Sequence, residues 1–199
     1  MLVRSGSLCV LVVLVSSCAA PRGQQLCDAI AKRDVATVQR LLAGPPINPM
    51  KLQGTCVPAA AVFGAAKADD TKLNAIGIEL VKAGLPADAS WIAPGQPEAV
   101  WAIEAATSNG NVELVRALAA VGLDTKSPEV TRALVQAAGA GHLPIVKLLV
   151  QEGADLEATS RGETPLDRAL ANGRDEVVEF LESTAAAQAR AAARLSAPG

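Results

Sequence analysis

Apolar residues recur at helical spacing through most of the chain. In its second half, three short helix-forming segments each end in a glycine and a polar turn. A second segment then follows, in which aliphatic residues stand three or four positions apart. That spacing places them on one face of a helix. The pattern therefore predicts pairs of short helices joined at glycines, with no extended sheet.

The helix pairs recur at a nearly fixed distance along the chain. The glycines between the two segments of a pair, Gly110, Gly141 and Gly173, follow one another at almost equal intervals. Gly122 and Gly153, which come after the second segments, repeat at the same interval. Glycine accepts the left-handed conformation that often ends a helix. This regular period predicts a repeat array, in which neighbouring copies must stack to bury their apolar faces.

Two short motifs make these copies similar to the ankyrin repeat, whose period is about 33 residues. Segment 162–166, Gly-Glu-Thr-Pro-Leu, resembles the G-x-T-P-L opening of that family. Segment 153–156, Gly-Ala-Asp-Leu, resembles its G-A-D-V ending. Thr can cap a helix and Pro fits the first helical turn, which explains the opening physically. The resemblance implies an all-α solenoid of about five helix-turn-helix repeats over residues 24–183.

Two weaker copies precede these three. The first, residues 26–42, has Arg33 where glycine is usual, which costs free energy if the turn is left-handed. The second, residues 62–85, has a turn at 67–72 that is about three residues longer than the family pattern. A generic array of helical hairpins is the alternative. The Ala-rich tail at 184–199 lacks a wide apolar face, and we expect a frayed helix or disorder there.

The segment at 1–17 resembles an export signal rather than part of the fold. Its apolar run, 8–15, carries no charge and is shorter than the roughly 20 residues that cross a bilayer. It ends in Val-Ser-Ser-Cys at 15–18, which resembles the lipobox of bacterial lipoproteins. That resemblance implies cleavage before Cys18, acylation of Cys18 and a short tether at 18–23. An ordinary cleaved signal with a chance cysteine is the alternative.

The residues after the lipobox bear on location and redox state. Ala19 follows Cys18, where an Asp would resemble an inner-membrane retention signal, so we expect the outer membrane, facing the periplasm. Two cysteines, Cys27 and Cys56, then remain in the exported chain. An even pair in an exported protein predicts one disulfide, and two buried free thiols are the alternative.

Composition supports short helices and argues against several classes of function. Half of the residues are hydrophobic but only 2% are aromatic, which favours Ala- and Leu-rich helices over a sandwich or barrel. The net charge of −2, without a basic block, does not indicate nucleic-acid binding. His142 is the only histidine, and no triad, zinc-ligand set or phosphate-binding loop accompanies it. We therefore expect no enzyme, cofactor, metal or small-molecule substrate.

The ankyrin resemblance implies protein binding on the concave side of the stack, formed by first helices and the loops between repeats. The candidate partner-binding residues lie in those loops: Trp91, Ile92, Asp124, Asp155, Glu157 and Arg161. Trp is enriched at interface hot spots, although Trp91 could instead pack on the second repeat. The expected role is a lipid-anchored adaptor or inhibitor of a periplasmic protein partner. An immunity protein that neutralises a periplasmic toxin and a passive structural spacer are the alternatives.

The lipobox predicts that Cys18 carries the acyl chains. Cells fed a radioactive fatty acid should label the wild-type protein and a Cys9→Ala control, because Cys9 leaves with the signal. The Cys18→Ala variant should lose the label. A Cys18→Ala protein that still takes up label would contradict the lipid anchor.

Overall fold

The computed structural model describes residues 22–45, 62, 65–85, 88–92 and 99–196, with the backbone alone at 91–92, 99–100 and 189–196. Within these residues the chain forms nine helices and one pair of short strands. In order they are α1 (Arg22–Ala31), α2 (Val35–Leu42), α3 (Thr71–Lys82), β1 (Ser90–Ile92), β2 (Ala99–Trp101), α4 (Ala102–Ser108), α5 (Val112–Ala120), α6 (Pro128–Ala140), α7 (Leu143–Gln151), α8 (Pro165–Ala171) and α9 (Asp175–Ser196).

The helices stack in two layers. Helices α4, α6 and α8 pack side by side as the first helices of successive pairs, while α2, α3, α5, α7 and α9 form the layer of second helices. Residues 62 and 65 are also helical, at the place of the first helix of the second pair. The all-α prediction is confirmed. The core lies between the layers and is almost entirely aliphatic, with Leu26, Ile76, Leu114, Leu134 and Leu149 among its fully buried side chains.

One connection differs from the loop that the sequence predicts. Strands β1 and β2 form an antiparallel ribbon, in which Trp91 pairs with Val100 and Ile92 with Ala99. These two strands are too short to form a stable sheet of their own. The ribbon leads directly into α4, which begins at the residue after β2. At this junction the N–H of Ala102 donates to the carbonyl of Ala89 at 2.8 Å.

A left-handed residue joins the two helices in four of the pairs, namely α1–α2, α4–α5, α6–α7 and α8–α9. Gly110, Gly141 and Gly173 have φ of +67°, +81° and +61°, as expected of glycine after a helix. Arg33 has φ of +55° at the equivalent position, which costs a non-glycine residue about 1–2 kcal/mol. Its guanidinium lies 2.8 Å from the Asp70 carboxylate, so this turn contacts the next one through an ion pair.

Each turn packs on the turn before it. A Cβ atom added to Gly110 would lie 3.0 Å from Cε1 of His142, so the imidazole covers that glycine. Arg174 Nε and Asn172 Nδ2 both donate to the carbonyl of Gly139, at 3.0 and 2.9 Å. His142 is therefore a packing residue of the turn.

The irregular second repeat is connected to the third by buried asparagines. Asn111 caps α5 by accepting from the N–H of Leu114 at 3.2 Å, and its side chain is 1% exposed. Its amide also donates to the carbonyl of Ala66 at 3.2 Å and to Oδ1 of Asn74 at 2.5 Å. Asn74 in turn donates to the carbonyl of Ala68 at 3.2 Å. These bonds satisfy backbone groups that the long turn leaves without helical partners.

Helical structure extends beyond both ends of the predicted repeat domain. Helix α1 begins at Arg22, within the predicted tether at 18–23. Helix α9 continues to Ser196, so the Ala-rich tail prolongs it by about three and a half turns. The predicted signal at 1–17, Cys18 and Cys56 lie outside the described residues. No helix in the described part of the chain is long and apolar enough to span a membrane.

The asparagine network predicts a specific loss of stability. Asn111→Ala should lower the free energy of unfolding by about 2 kcal/mol or more, because it removes a cap and leaves buried polar groups unpaired. Lys67→Ala, an exposed change in the turn that the network contacts, should stay within about 0.5 kcal/mol of wild type. Urea denaturation measures both. Equal effects of the two substitutions would show that the network is dispensable.

Candidate functional site

A groove crosses the layer of first helices. It consists of two adjoining depressions of about 670 and 430 Å³, which share Arg132, Gln136, Ser160 and Arg161. Helices α4, α6 and α8 supply one wall, and the finger segment at 155–163 supplies the other. The side chains that define this groove are Trp101, Glu104, Ser108, Lys126, Arg132, Gln136, Ser160, Arg161, Arg168 and Asn172.

The finger ends in a tight two-residue turn. Ser160 and Glu163 exchange backbone hydrogen bonds at 2.9 and 3.1 Å. Between them, Arg161 and Gly162 have φ of +56° and +81°, the pattern of a hairpin turn that favours Asn-Gly or Gly-Gly. This conformation costs Arg161 about 1–2 kcal/mol. Its exposed side chain lines both depressions, so the structure brings this predicted residue to the groove.

The other predicted loop carboxylates shape their own turns. Asp124 Oδ1 accepts from the N–H of Lys126 at 3.0 Å, and Asp155 Oδ1 accepts from the N–H of Glu157 at 2.9 Å. Asp124, Asp155 and Glu157 are all exposed. Asp124 and Asp155 line smaller depressions beside the groove rather than the groove itself. These residues therefore position the loops, and Arg161 is the predicted loop residue whose side chain lines the groove.

The remaining predicted residues are described only in part. Trp91 and Ile92 lie in β1, and their side chains are outside the described residues, so their role in binding stays a prediction. Cys27 is 8% exposed and disulfide-bonded. The three other cysteines, Cys9, Cys18 and Cys56, are outside the described residues, and the pairing of Cys27 with Cys56 stays a prediction.

Basic side chains dominate the groove. Arg132 forms an ion pair with Glu104 across neighbouring first helices and lies 3.6 Å from Glu129. Arg168 Nε lies 2.8 Å from the carboxylate of Glu163. Within the described residues, neither Lys126 nor Arg161 forms an ion pair. The groove therefore contains two partly neutralised guanidinium groups and two cations that face solvent.

Glu104 is the one groove carboxylate on the first-helix layer. Burial raises its pKa, and the nearby Glu129 charge acts in the same direction. The hydrogen bond and the positive charge of Arg132 oppose this rise, as does the more distant charge of Arg161. Burial of the carboxylate is thus only partly offset by its partner.

Sequence reasoning missed most of the groove. Arg132 and Gln136 are four residues apart on α6, so they share a helix face that the buried Ala133, Leu134 and Ala137 do not occupy. That polar face was the available signal. Trp101, at the start of the third repeat, packs against the core and also lines the groove.

In the part of the chain that the structure describes, no group of three His, Cys, Asp or Glu side chains could bind a metal ion. The groove side chains include the amides of Gln136 and Asn172 and three guanidinium groups. These groups are suited to hydrogen bonding and charge pairing with the surface of a ligand.

Comparison with known families finds a match in the second half of the chain. Residues 102–190, which span α4 to α8 and most of α9, match the family model for ankyrin repeats, in three copies. No curated protein matches the chain. Residues 102–190 are thus similar to ankyrin repeats, which are protein–protein interaction modules and typically non-enzymatic.

The raised pKa of Glu104 predicts a pH-dependent stability. The pKa of this carboxyl is higher in the folded protein than in the unfolded chain, where it is near 4.5. Its contribution to folding stability is therefore complete below pH 4.5 and is lost as pH rises through the folded pKa. Glu104→Gln carries no such charge. The free energy of unfolding of Glu104→Gln, relative to wild type, should therefore increase as pH rises from 4.5 to neutrality.

Urea denaturation at several pH values measures this difference. Glu113→Gln, which changes an exposed carboxylate on α5, should give a profile parallel to wild type. A Glu104→Gln profile that also stays parallel to wild type would contradict the raised pKa of Glu104 in the folded protein.

Proposed function

We propose that this chain is a protein-binding module anchored at the bacterial cell envelope, where it acts as an adaptor or inhibitor of a periplasmic partner. The observation that carries the binding role is the open groove on the first-helix layer, lined by side chains with free hydrogen-bonding capacity. Ankyrin stacks present their concave side in this way, with finger loops along one edge.

The backbone of the finger supports a binding role over a passive spacer. Arg161 lies at its tip in a strained left-handed conformation, without an ion pair in the described residues to offset the strain. Backbone strain of this kind is concentrated at binding and switch positions. A spacer would gain nothing from an arginine there, since Asn or Gly would form the same turn with less strain.

The envelope location rests on different observations. The uncharged run at 8–15 and the Val-Ser-Ser-Cys segment at 15–18 support export and acylation. The disulfide at Cys27 supports an oxidising compartment, because disulfides persist in the periplasm and are rare in the cytosol. An anchored module of this kind would recruit or block a partner at the membrane surface.

Filling the groove should abolish partner binding without unfolding the protein. Gln136 is exposed on α6 and lines both depressions, so Gln136→Trp places a large side chain in the groove. Affinity capture from the periplasm of the encoding organism, followed by mass spectrometry, should recover a partner with wild type and not with Gln136→Trp. The melting temperatures of the two proteins should agree within a few degrees.

The control is Arg116→Trp, which adds the same side chain at an exposed position of the second-helix layer. This variant should capture the partner as wild type does. A partner that is an envelope protein favours the adaptor, and a secreted toxin favours the immunity role. Equal capture by the Gln136→Trp variant would exclude the groove, and no specific partner at all would favour the spacer.

The exported domain should also contain one disulfide, between Cys27 and Cys56. Closing a loop of about 30 residues should stabilise the first repeat by roughly 3 to 4 kcal/mol, less any strain. Thiol titration under denaturing, non-reducing conditions should find neither thiol free, and reduction should release both. Two free thiols in protein purified from the periplasm would contradict the bridge and weaken the case for export.

A further inference from the structure

We infer that the groove binds an extended acidic segment of the partner protein, an inference that rests on the proposed binding function. The chain as a whole has a net charge of −2. The described residues that line its groove nevertheless include Lys126, Arg132, Arg161 and Arg168, against a single carboxylate, that of Glu104. Charge complementarity of this kind determines which partners can dock and which are repelled.

The two unpaired cations contribute most to this preference. Lys126 and Arg161 are both exposed at the wider depression, and neither forms an ion pair within the described residues. A neutral partner that covered them would strip the water from both charges and offer no anion in its place, and burying an unpaired charge costs binding free energy. Partner carboxylates at these two positions would replace that water with charge-assisted hydrogen bonds.

The paired arginines retain capacity for a second anion. Arg132 contacts Glu104 through Nε and Glu129 through Nη2, and Arg168 contacts Glu163 through Nε. A guanidinium group has five N–H donors in a planar fork, so each arginine still offers donors beyond its present partners. These two side chains extend the basic surface from α6 to α8.

The dimensions favour an extended peptide. Neighbouring packed helices lie about 8–10 Å apart, so a segment crossing α4, α6 and α8 covers roughly 20 Å. An extended chain rises about 3.3 Å per residue, which corresponds to about six residues. Nucleic acid is disfavoured, because the chain has a net charge of −2 and a pI of about 5.5.

Three labelled peptides of about ten residues test the inference by fluorescence anisotropy, since that length exceeds the groove at each end. They alternate Ser with Glu, Gln or Lys. The Glu peptide should bind the full mature chain about tenfold more tightly than the Gln peptide, and its affinity should fall as salt rises. The Lys peptide should not bind. Equal binding of the Glu and Gln peptides would overturn the inference.

Charge variants locate the binding. Arg161→Glu and Lys126→Glu should each weaken Glu-peptide binding by about tenfold, because repulsion replaces attraction. Arg116→Glu, a matched reversal on the second-helix layer, should leave it unchanged. Arg161→Gly should weaken binding while keeping or raising the melting temperature, since glycine relieves the strain at φ of +56°. Equal losses from Arg116→Glu and Arg161→Glu would overturn the inference.

Two further measurements separate the alternatives. An oligothymidylate of matched charge should not displace the Glu peptide, and displacement at equal concentration would assign the groove to nucleic acid instead. If the captured partner is lost by Gln136→Trp but retained by Arg161→Glu and Lys126→Glu, the groove binds its partner without acidic recognition. That result would overturn this inference and leave the proposed function standing.

Discussion

Stacking of one helix pair on the next is the interaction on which the rest of this structure depends. A single helix pair cannot bury its aliphatic face, so each pair packs against its neighbours. The core that this packing forms consists of Leu, Ile, Val and Ala, and aromatic side chains are scarce. The stack brings the turns into contact as well, so that His142 covers Gly110 and Arg174 donates to the carbonyl of Gly139. A change in one turn therefore acts on two repeats.

The two left-handed arginines, Arg33 and Arg161, differ in whether a contact within the protein offsets their backbone strain. Arg33 replaces a glycine between two helices, and its ion pair with Asp70 connects the first turn to the second. Arg161 replaces an Asn or Gly at the finger tip and has no ion pair in the described residues. The first strain is compensated inside the protein. The second leaves a charged side chain in position for contact with another molecule.

The groove results from the same stacking of helix pairs. First helices must present small apolar residues such as Ala133 and Ala137 to their neighbours, so their polar residues can only face the open side. On α6 this geometry places Arg132 and Gln136 there, opposite the finger. The family match over residues 102–190 covers these elements, so the repeat architecture and the basic groove belong to the same part of the chain.

Local periodicity by itself determined the helix pairs and the glycine turns, because these depend on residues within one repeat. It also singled out Arg161, since finger loops follow directly from the repeat motif. The groove's other members, among them Trp101, Lys126 and Arg132, were decided only by tertiary structure. They come from consecutive repeats, and their mutual distances depend on how far and at what angle one repeat is displaced from the next. The Asn74–Asn111 contact likewise joins residues 37 positions apart, which no local pattern encodes.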